Sequence, residues 1–257
     1  MSSGNLRMQE RFTVTDQELK RKEKSIKPLS ALVLASSGMD SVYNILEAKK
    51  NFAKTDALFF DYRHKASPQE YIHVKKLSKR LGINFMKADL PWYAALSSSL
   101  TSSGKRISKF KDLKDLNSSA CPAEWVPNRN AVFVNIGAAF AESMAYDLVI
   151  IGINKEEAER YPDNSEVFIE RANALLDYST LKKPKIVSYS VDKTKKQIYP
   201  LLMENAKSMG IENIKEYIWS CYDSYEKMCG ECESCLRLKA VISEYGQGSE
   251  WKDRFLK

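Results

Sequence analysis

The chain has 257 residues, 44% of them hydrophobic, and 40 basic against 33 acidic side chains give it a formal net charge of +7. This length and composition predict one main domain with a sizeable core. No apolar run approaches the roughly 18 residues of a membrane span, and the N-terminus lacks the apolar core of a secretory signal. We therefore expect a cytoplasmic protein without a membrane partner.

The positive charge is concentrated in part at the N-terminus. Residues 1–28 contain seven basic and four acidic side chains and no convincing apolar period. We interpret this stretch as a polar, basic, flexible tail. The net charge by itself suits either a nucleic-acid-binding protein or an enzyme with anionic substrates.

The body of the chain alternates short apolar runs with segments of helical periodicity. Strands are predicted at 29–36, 56–62, 83–90, 147–154 and 184–191. Helices are predicted at 38–50, 67–81, 130–145, 165–177 and 193–208. This alternation is typical of an α/β fold with a parallel sheet covered on both faces, in which ligands collect at the carboxyl ends of the strands.

The junction between the first strand and the first helix is a candidate phosphate-binding loop. Small residues there let the backbone approach an anion, and the amides of the helix start point towards it. The loop lacks the Gly-Lys-Ser/Thr ending of a Walker loop. A plain helix N-cap by Ser37 or Asp40 is the structural alternative. The candidate nucleotide-binding residues are Ala35, Ser36, Ser37, Gly38, Met39, Asp40 and Ser41.

A second motif is a cluster of cysteines near the end of the chain. Cys221, Cys229, Cys232 and Cys235 are four of the five cysteines and fall within fifteen positions. In a reducing compartment this pattern favours a metal site over disulfides. Four thiolates suit a tetrahedral, structural zinc ion with no open position, and Gly230 suits the tight Cys-x2-Cys turn. An iron–sulfur cluster and free thiols remain the alternatives.

Six ordered segments resemble one known family. "SSGMDS" (36–41) looks like the Ser-Gly-Gly-x-Asp-Ser loop of ATP pyrophosphatase-type enzymes. The segments at 100–104, 125–142, 152–154 and 160–164, and "SCY" with the cysteine cluster, are similar in this order to the 7-cyano-7-deazaguanine synthase family. The resemblance covers about residues 30–245, and this chain is a divergent member of the pattern.

The resemblance implies both a fold and an activity. The fold is an adenine-nucleotide alpha-hydrolase-like (PP-loop) α/β domain at 29–210, with a zinc-binding segment at 211–257 packed on it. The activity is that of a ligase which activates 7-carboxy-7-deazaguanine with ATP and Mg²⁺, adds ammonia to form an amide, and dehydrates the amide to the nitrile for queuosine biosynthesis. The resemblance also implies one structural zinc ion per chain on the four cysteines, and a homodimer.

The matched motifs carry the expected site residues. Asp40, as the neighbour of Mg²⁺, and Ser41 are expected to act in catalysis at the phosphate loop. Arg129 is expected to act in catalysis as well, because its planar fork matches carboxylates and phosphates. Asp163 is expected to accept hydrogen bonds from the guanine-like edge of the base. The expected substrate-binding residues are Arg129, Asn130, Asn154, Tyr161 and Asp163.

Departures from the family pattern cluster around the expected base pocket. Ser37 replaces a glycine of the loop and could reshape it. The segment 61–70 lacks the Gly-Gln of the family, which shifts the register of His64. Five further positions also differ from the residues that the family tends to show: Glu157, Glu159, Arg160, Asn164 and Ser165.

Three functions are therefore compared. The first is the nitrile-forming ligase, and the second is a related enzyme that stops at the amide or transfers the activated acid to tRNA or a protein. The third is a zinc-stabilised nucleic-acid-binding protein, which the absence of a dense basic cluster with interleaved aromatic residues disfavours. We expect a deazapurine acid, ammonia and ATP as the small-molecule partners, and no nucleic acid.

Overall fold

The computed structural model describes residues 29–96, 98–101, 105–117 and 123–256. The tail predicted for residues 1–28 lies outside the described residues, as does the 102–104 part of the motif at 100–104. Among the helices that the structure describes, none is long and apolar enough to cross a membrane.

Five strands form one parallel sheet in the order β3-β2-β1-β4-β5. The strands are β1 (Ser30–Ala35), β2 (Lys54–Asp61), β3 (Phe85–Asp89), β4 (Leu148–Ile151) and β5 (Lys185–Val187). The prediction of a parallel α/β sheet is confirmed. The fifth strand is shorter than predicted because Ser190 Oγ donates a hydrogen bond to the Ile153 carbonyl at 2.7 Å, so a side chain replaces the backbone ladder there.

The predicted helices are present, and the structure adds short ones and a C-terminal one. The helices are α1 (Met39–Asn51), α2 (Ser67–Leu81), α3 (Leu113–Asn117), α4 (Arg129–Met144), α5 (Lys155–Ala158), α6 (Glu166–Ser179), α7 (Lys195–Ser208) and α8 (Glu233–Glu244). Single 3-10 turns lie at Pro91–Ala95, Pro162–Asn164, Ile214–Tyr217 and Lys252–Arg254.

The central strand β1 shows why the sheet is buried on both faces. All six of its residues are buried. Ala31 and Val33 belong to an apolar cluster on one face, and Leu32 and Leu34 belong to a second cluster on the other face. A strand with helices on both sides needs a continuous apolar run, which "SALVLA" supplies.

The strand order places a crevice at one edge of the sheet. From β1 the chain proceeds outwards to β2 and β3, and it then returns to β4 and β5 on the other side of β1. Connections therefore diverge at the carboxyl ends of β1 and β4. This switch point is where parallel α/β sheets bind their ligands.

The C-terminal segment packs on the same apolar cluster as one face of β1. Trp219 and Trp251 are almost completely buried in that cluster, together with the four cysteines. Near the end of the chain, Met228 forms a β-bridge with Phe255. The boundaries of 29–210 and 211–257 for the two parts of the chain stay predictions.

Candidate active site and metal centre

A cavity of about 230 Å³ opens at the carboxyl ends of β1 and β4. Its walls come from the loop after β1, the end of β2, the starts of α4 and α7, and the C-terminal segment that contains the cysteines. Candidate residues that lie far apart in the sequence thus line the same cavity. The predicted site residues that line it are Ala35, Ser36, Gly38, Met39, Asp40, Ser41, Arg129, Asn130, Tyr161 and Asp163.

Two hydrogen bonds within the loop after β1 fix its conformation. The Ser36 amide donates to Ser41 Oγ at 2.8 Å, and the Gly38 amide donates to Ser36 Oγ at 3.3 Å. Gly38 is the N-cap residue of α1, and no side chain caps the helix there. The capping alternative for Ser37 and Asp40 is therefore wrong, and the positive end of the helix faces the cavity without a side-chain cap.

Ser37, which replaces a family glycine, does not line the cavity. It is completely buried, and its Oγ donates to the Trp219 carbonyl at 3.2 Å. The Trp219 amide in turn donates to the Ser37 carbonyl at 2.9 Å. The additional side chain therefore attaches the loop to the C-terminal segment instead of narrowing the loop.

Gly152 allows the end of β4 to approach this loop closely. A Cβ atom at this position would lie 2.8 Å from both Cα and N of Ser41, a distance that backbone atoms do not tolerate. Only glycine fits here because the start of α1 leaves no room for a side chain. The contact fixes how far the loop lies from the neighbouring strand.

A buried ionic network lies at the start of α1. Lys195 Nζ is 2.6 Å from Asp40 Oδ2 and 3.0 Å from Glu157 Oε1. Asn154 Nδ2 donates to the same Asp40 oxygen at 3.0 Å, while the Asn154 side chain also accepts from the Glu157 amide and caps α5. The other oxygen of Asp40, Oδ1, is buried and has no hydrogen-bond donor among the described residues.

The pKa values in this network follow from two carboxylates sharing one ammonium group. Burial raises the pKa of Asp40, Lys195 opposes this effect, and Glu157 adds to it, so the pKa stays above its usual value. Burial also favours neutral Glu157, but the adjacent Lys195 lowers the Glu157 pKa below its usual value. For Lys195, burial lowers the pKa, and the two carboxylates outweigh burial and raise it. Lys195 is therefore a permanent cation in the wall of the cavity.

The second cation of the cavity is Arg129, the first residue of α4. It lines the cavity, and its Nη1 donates to the Tyr62 hydroxyl at 3.2 Å. Tyr62 stacks on His64 with ring centroids 3.9 Å apart. Arg129 therefore belongs to the wall of the cavity.

His64 lies in the segment 61–70, which departs from the family pattern. Its Nε2 is nevertheless 3.2 Å from Glu70 Oε2, and Glu70 itself lines the cavity. Arg63, in the turn before α2, has a positive φ of 61°. The altered segment therefore still pairs a histidine with a glutamate beside the cavity.

The remaining predicted substrate residues fall into two groups. Asn130 and Asp163 line the cavity, and Asn130 Nδ2 donates to the Asp163 carbonyl at 3.1 Å. Asp163 Oδ1 accepts from Asn164 Nδ2 at 2.8 Å, and Ser165 caps the helix α6 that follows. Asn154 is fully buried beneath the cavity, where its amide supports Asp40 and α5.

Two aromatic side chains stand in parallel at the same side of the cavity. The rings of Trp125 and Tyr161 are 5.7 Å apart between centroids and inclined by only 14°. Both residues line the cavity. Flat aromatic surfaces of this kind can stack on a heterocyclic base.

The four cysteines form a compact group that could hold a metal ion. Their sulfur atoms all lie within 4.8 Å of one another, and every one of these residues is buried. The Glu231 and Cys232 amides donate to Cys229 Sγ at 3.4 and 3.3 Å, as expected of a Cys-x2-Cys turn. Gly230 has a φ of 79° within this turn. The prediction that these cysteines come together as one ligand set is thus confirmed.

Four charged residues that line the cavity were not identified from the sequence, namely Glu124, Lys195, Glu233 and Arg237. Lys195 did leave a signal, because a lysine in the first turn of a helix opposes the helix dipole. Glu233 left none, since an acidic residue in a first turn is ordinary. Of the five altered pocket positions, Glu157 and Asn164 line the cavity, and Arg160 forms an ion pair with Glu233.

Comparison with known proteins shows the family of this chain. The family model "Queuosine biosynthesis protein QueC" matches residues 30–246. The 7-cyano-7-deazaguanine synthase of Carboxydothermus hydrogenoformans is 39% identical over 212 residues, which are 81% of this chain and 96% of that protein. The enzyme of the same name from Methanocaldococcus jannaschii is 38% identical over 221 residues, 83% of this chain and 94% of the relative. The chain therefore belongs to the QueC family of queuosine biosynthesis proteins, as its motifs predicted.

Proposed function

We propose that this protein is an ATP-dependent carbon–nitrogen ligase that converts 7-carboxy-7-deazaguanine and ammonia into 7-cyano-7-deazaguanine. The observation that carries this proposal is the single cavity in which the loop 35–41, Lys195 and Arg129 converge. The two relatives described above, which are 38–39% identical to it over the aligned residues, bear the name of this enzyme. The product serves queuosine biosynthesis, in agreement with the family description.

The reaction removes both oxygens of a carboxylate, and each removal needs its own activation. Transfer of an adenylyl or phosphoryl group from ATP turns one carboxylate oxygen into a leaving group. Ammonia then attacks the carbon, the activated oxygen departs with the transferred group, and the amide forms with loss of a proton. A second transfer to the amide oxygen, followed by its departure and the loss of the remaining N–H protons, gives the nitrile. Two ATP molecules are therefore consumed for each nitrile.

Catalysis of such transfers depends mainly on positioning and charge neutralisation. We assign the phosphates of ATP to the loop 35–41, where the free amides at the start of α1 and the hydroxyl groups of Ser36 and Ser41 provide donors. Lys195 is the buried cation next to this loop and would neutralise charge on the transferred group. Arg129, on the wall made by α4, would bind the carboxylate of the deazapurine acid.

The site also fits Mg²⁺ as the companion of ATP. Asp40 Oδ1 is a buried carboxylate oxygen without a donor among the described residues, which suits a ligand of a hard cation. Asp40 Oδ2 is held by Lys195 and Asn154, so the side chain has one fixed orientation. When bound, Mg²⁺ would neutralise phosphate charge, and Asp40 would hold it against the loop.

The geometry of the four cysteines fits a structural zinc ion better than a catalytic metal ion. A tetrahedral site with Zn–S bonds of about 2.3 Å separates its sulfurs by about 3.8 Å. Cys229 Sγ and Cys235 Sγ lie 3.9 Å apart, and the other sulfurs are within 4.8 Å. Four thiolates leave no open position, so we propose one structural zinc ion per chain. Reduced thiolates require a reducing compartment, which supports a cytoplasmic location.

We further propose that the protein is a homodimer that uses the outer face of α6. Of the fourteen residues of this helix, only Leu176 is buried. Large apolar side chains are exposed on and just after the helix, with Tyr178 and Leu181 each 95% exposed and Val167 and Leu175 more than half exposed. Contiguous apolar surface of this kind is typical of an interface.

The proposed reaction is tested by mass spectrometry of the base after incubation with 7-carboxy-7-deazaguanine, ammonium, ATP and Mg²⁺. We expect the nitrile, with two ATP molecules consumed for each product. An amide that accumulates without further reaction would assign the protein to the related enzymes that stop at that stage. Unchanged base would overturn the proposal.

Lys195→Met is expected to lower kcat by about a hundredfold or more, because the variant loses a buried charge that acts on the transferred group. Lys196→Met is the matched control, since Lys196 is the next residue of the same helix, is 59% exposed and pairs with Glu244 at the surface. Initial rates and melting temperatures of both variants are measured. Equal rates for the two variants would exclude a catalytic role for Lys195.

Cys232→Ala is expected to release the metal ion and to lower the melting temperature sharply, because metal binding is coupled to folding. Elemental analysis of the parent protein should find about one zinc ion per chain. A variant that keeps both the metal and the melting temperature of the parent would contradict the structural role.

Tyr178→Lys is expected to convert the dimer into a monomer, because it places a charge in the middle of the proposed apolar interface. Sedimentation equilibrium should give twice the chain mass of 29.3 kDa for the parent and a single mass for the variant. Tyr225→Lys, at an exposed position outside α6, serves as the control. A monomeric parent protein would remove this proposal and leave the enzymatic one unaffected.

A further inference from the structure

Glu233 is a buried carboxylate in the wall of the cavity, and the proposed reaction steps do not use it. It is the first residue of α8 and lies between two of the metal-binding cysteines, Cys232 and Cys235. Its side chain is only 5% exposed, yet it lines the cavity together with Asp40 and Arg129. A carboxylate in such a place needs several hydrogen bonds to offset its desolvation.

Both hydrogen-bond donors that the described residues provide to the Glu233 carboxylate contact the same oxygen, Oε1. Arg160 Nη1 and Arg237 Nε, the latter at 3.0 Å, both contact Glu233 Oε1. Arg237 is itself held from the other side by Glu156 Oε2 at 3.4 Å. The carboxylate is thus fixed by two guanidinium groups from different parts of the chain, which gives it one orientation.

The second oxygen, Oε2, is buried and has no hydrogen-bond donor among the described residues. Leaving a buried acceptor unpaired is costly, so such an atom in a cavity wall indicates a ligand that brings donors. Asp40 Oδ1 and Glu124 Oε2 are likewise buried and have no hydrogen-bond donor among the described residues. Asp40 belongs to the proposed phosphate loop. Among the described residues, Glu124 accepts a hydrogen bond from the Ser108 amide at 3.2 Å, whereas two guanidinium groups hold Glu233. Glu233 is therefore the most firmly oriented of these acceptors away from that loop.

The base of the proposed substrate offers donors of the required kind. A guanine-like ring carries an N–H and an exocyclic amine side by side on its Watson–Crick edge, and a carboxylate oxygen accepts from such groups. The parallel rings of Trp125 and Tyr161 line the same cavity and provide a stacking surface. Tyr161 is adjacent in sequence to Arg160, which holds Glu233.

We propose that Glu233 is a specificity-determining residue whose Oε2 accepts hydrogen bonds from the amine and the ring N–H of the guanine-like base. This inference rests on the proposed function. It adds a second acceptor to Asp163, whose Oδ1 already accepts from Asn164 and which is more exposed. A metal ion on the cysteines would also affect recognition of the base, because the cysteines on both sides of Glu233 fix the start of α8.

The test is equilibrium binding, by calorimetry, of two ligands that differ in one group. The first ligand is 7-carboxy-7-deazaguanine, and the second is the same acid without the exocyclic amine. We expect the parent protein to prefer the first ligand by at least about tenfold, because the second leaves Oε2 underpaired. In Glu233→Gln this preference should fall to about threefold or less, since variant and ligand remove the same interaction.

Glu231→Gln is the matched control for Glu233→Gln. Glu231 lies in the same cysteine segment, but its carboxylate pairs with Lys109 at 3.3 Å, outside the cavity lining. The control should keep the parent's preference for the amine. Zinc content and melting temperature are measured for each variant, so that a variant that loses the metal is recognised.

Each outcome decides the inference. Equal weakening of both ligands in Glu233→Gln would assign Glu233 a structural role and overturn it. Loss of the preference in Asp163→Asn or Glu124→Gln, but not in Glu233→Gln, would assign the amine to another carboxylate. A parent protein that binds both acids equally would overturn the inference even if Glu233→Gln did not fold. A parent that binds neither acid would overturn the proposed function along with it.

Discussion

The buried contact between Asp40 and Lys195 is the interaction on which the rest of the site depends. It joins the start of α1 to the start of α7, and Glu157 adds α5 to the same network. Three helices, of which α1 lies more than 100 residues before the other two, are thereby fixed around one crevice of the sheet. Because a buried charge without its partner is strongly destabilising, each member of the network constrains the position of the others. The result is a rigid cation beside the loop that follows β1, and electrostatic catalysis requires a fixed charge of this kind.

The C-terminal segment with the four cysteines is attached to this site. The two hydrogen bonds between Ser37 and Trp219 connect it to the loop after β1, and the ion pair of Arg160 with Glu233 connects it to the opposite wall. A metal ion on the four cysteines would stiffen both connections. Under the proposed role of Glu233, such an ion would affect substrate recognition without contacting the substrate, because it would hold Glu233 in position.

Sequence reasoning identified the elements whose signals are local. The apolar runs predicted the five strands, and small residues after β1 predicted a loop that lines the cavity. It failed where the outcome depended on distant partners. It left open how Ser37 affects the loop, because the Ser37 side chain hydrogen-bonds to Trp219, 182 residues away. Lys195 was not selected because its partners lie far from it in the sequence: four strands separate it from Asp40, and one strand separates it from Glu157.

The sequence by itself determined the class of fold, the family and the four cysteines that could hold a metal ion. Each of these depends on periodicity, on residue type or on spacing within a short segment, and folding does not alter them. Only the tertiary structure decided which charged groups share the cavity and which of their atoms are already paired. Hydrogen-bond satisfaction is a property of three-dimensional neighbours, so the unpaired oxygens of Asp40 and Glu233 could be recognised only once all the walls of the cavity were in place.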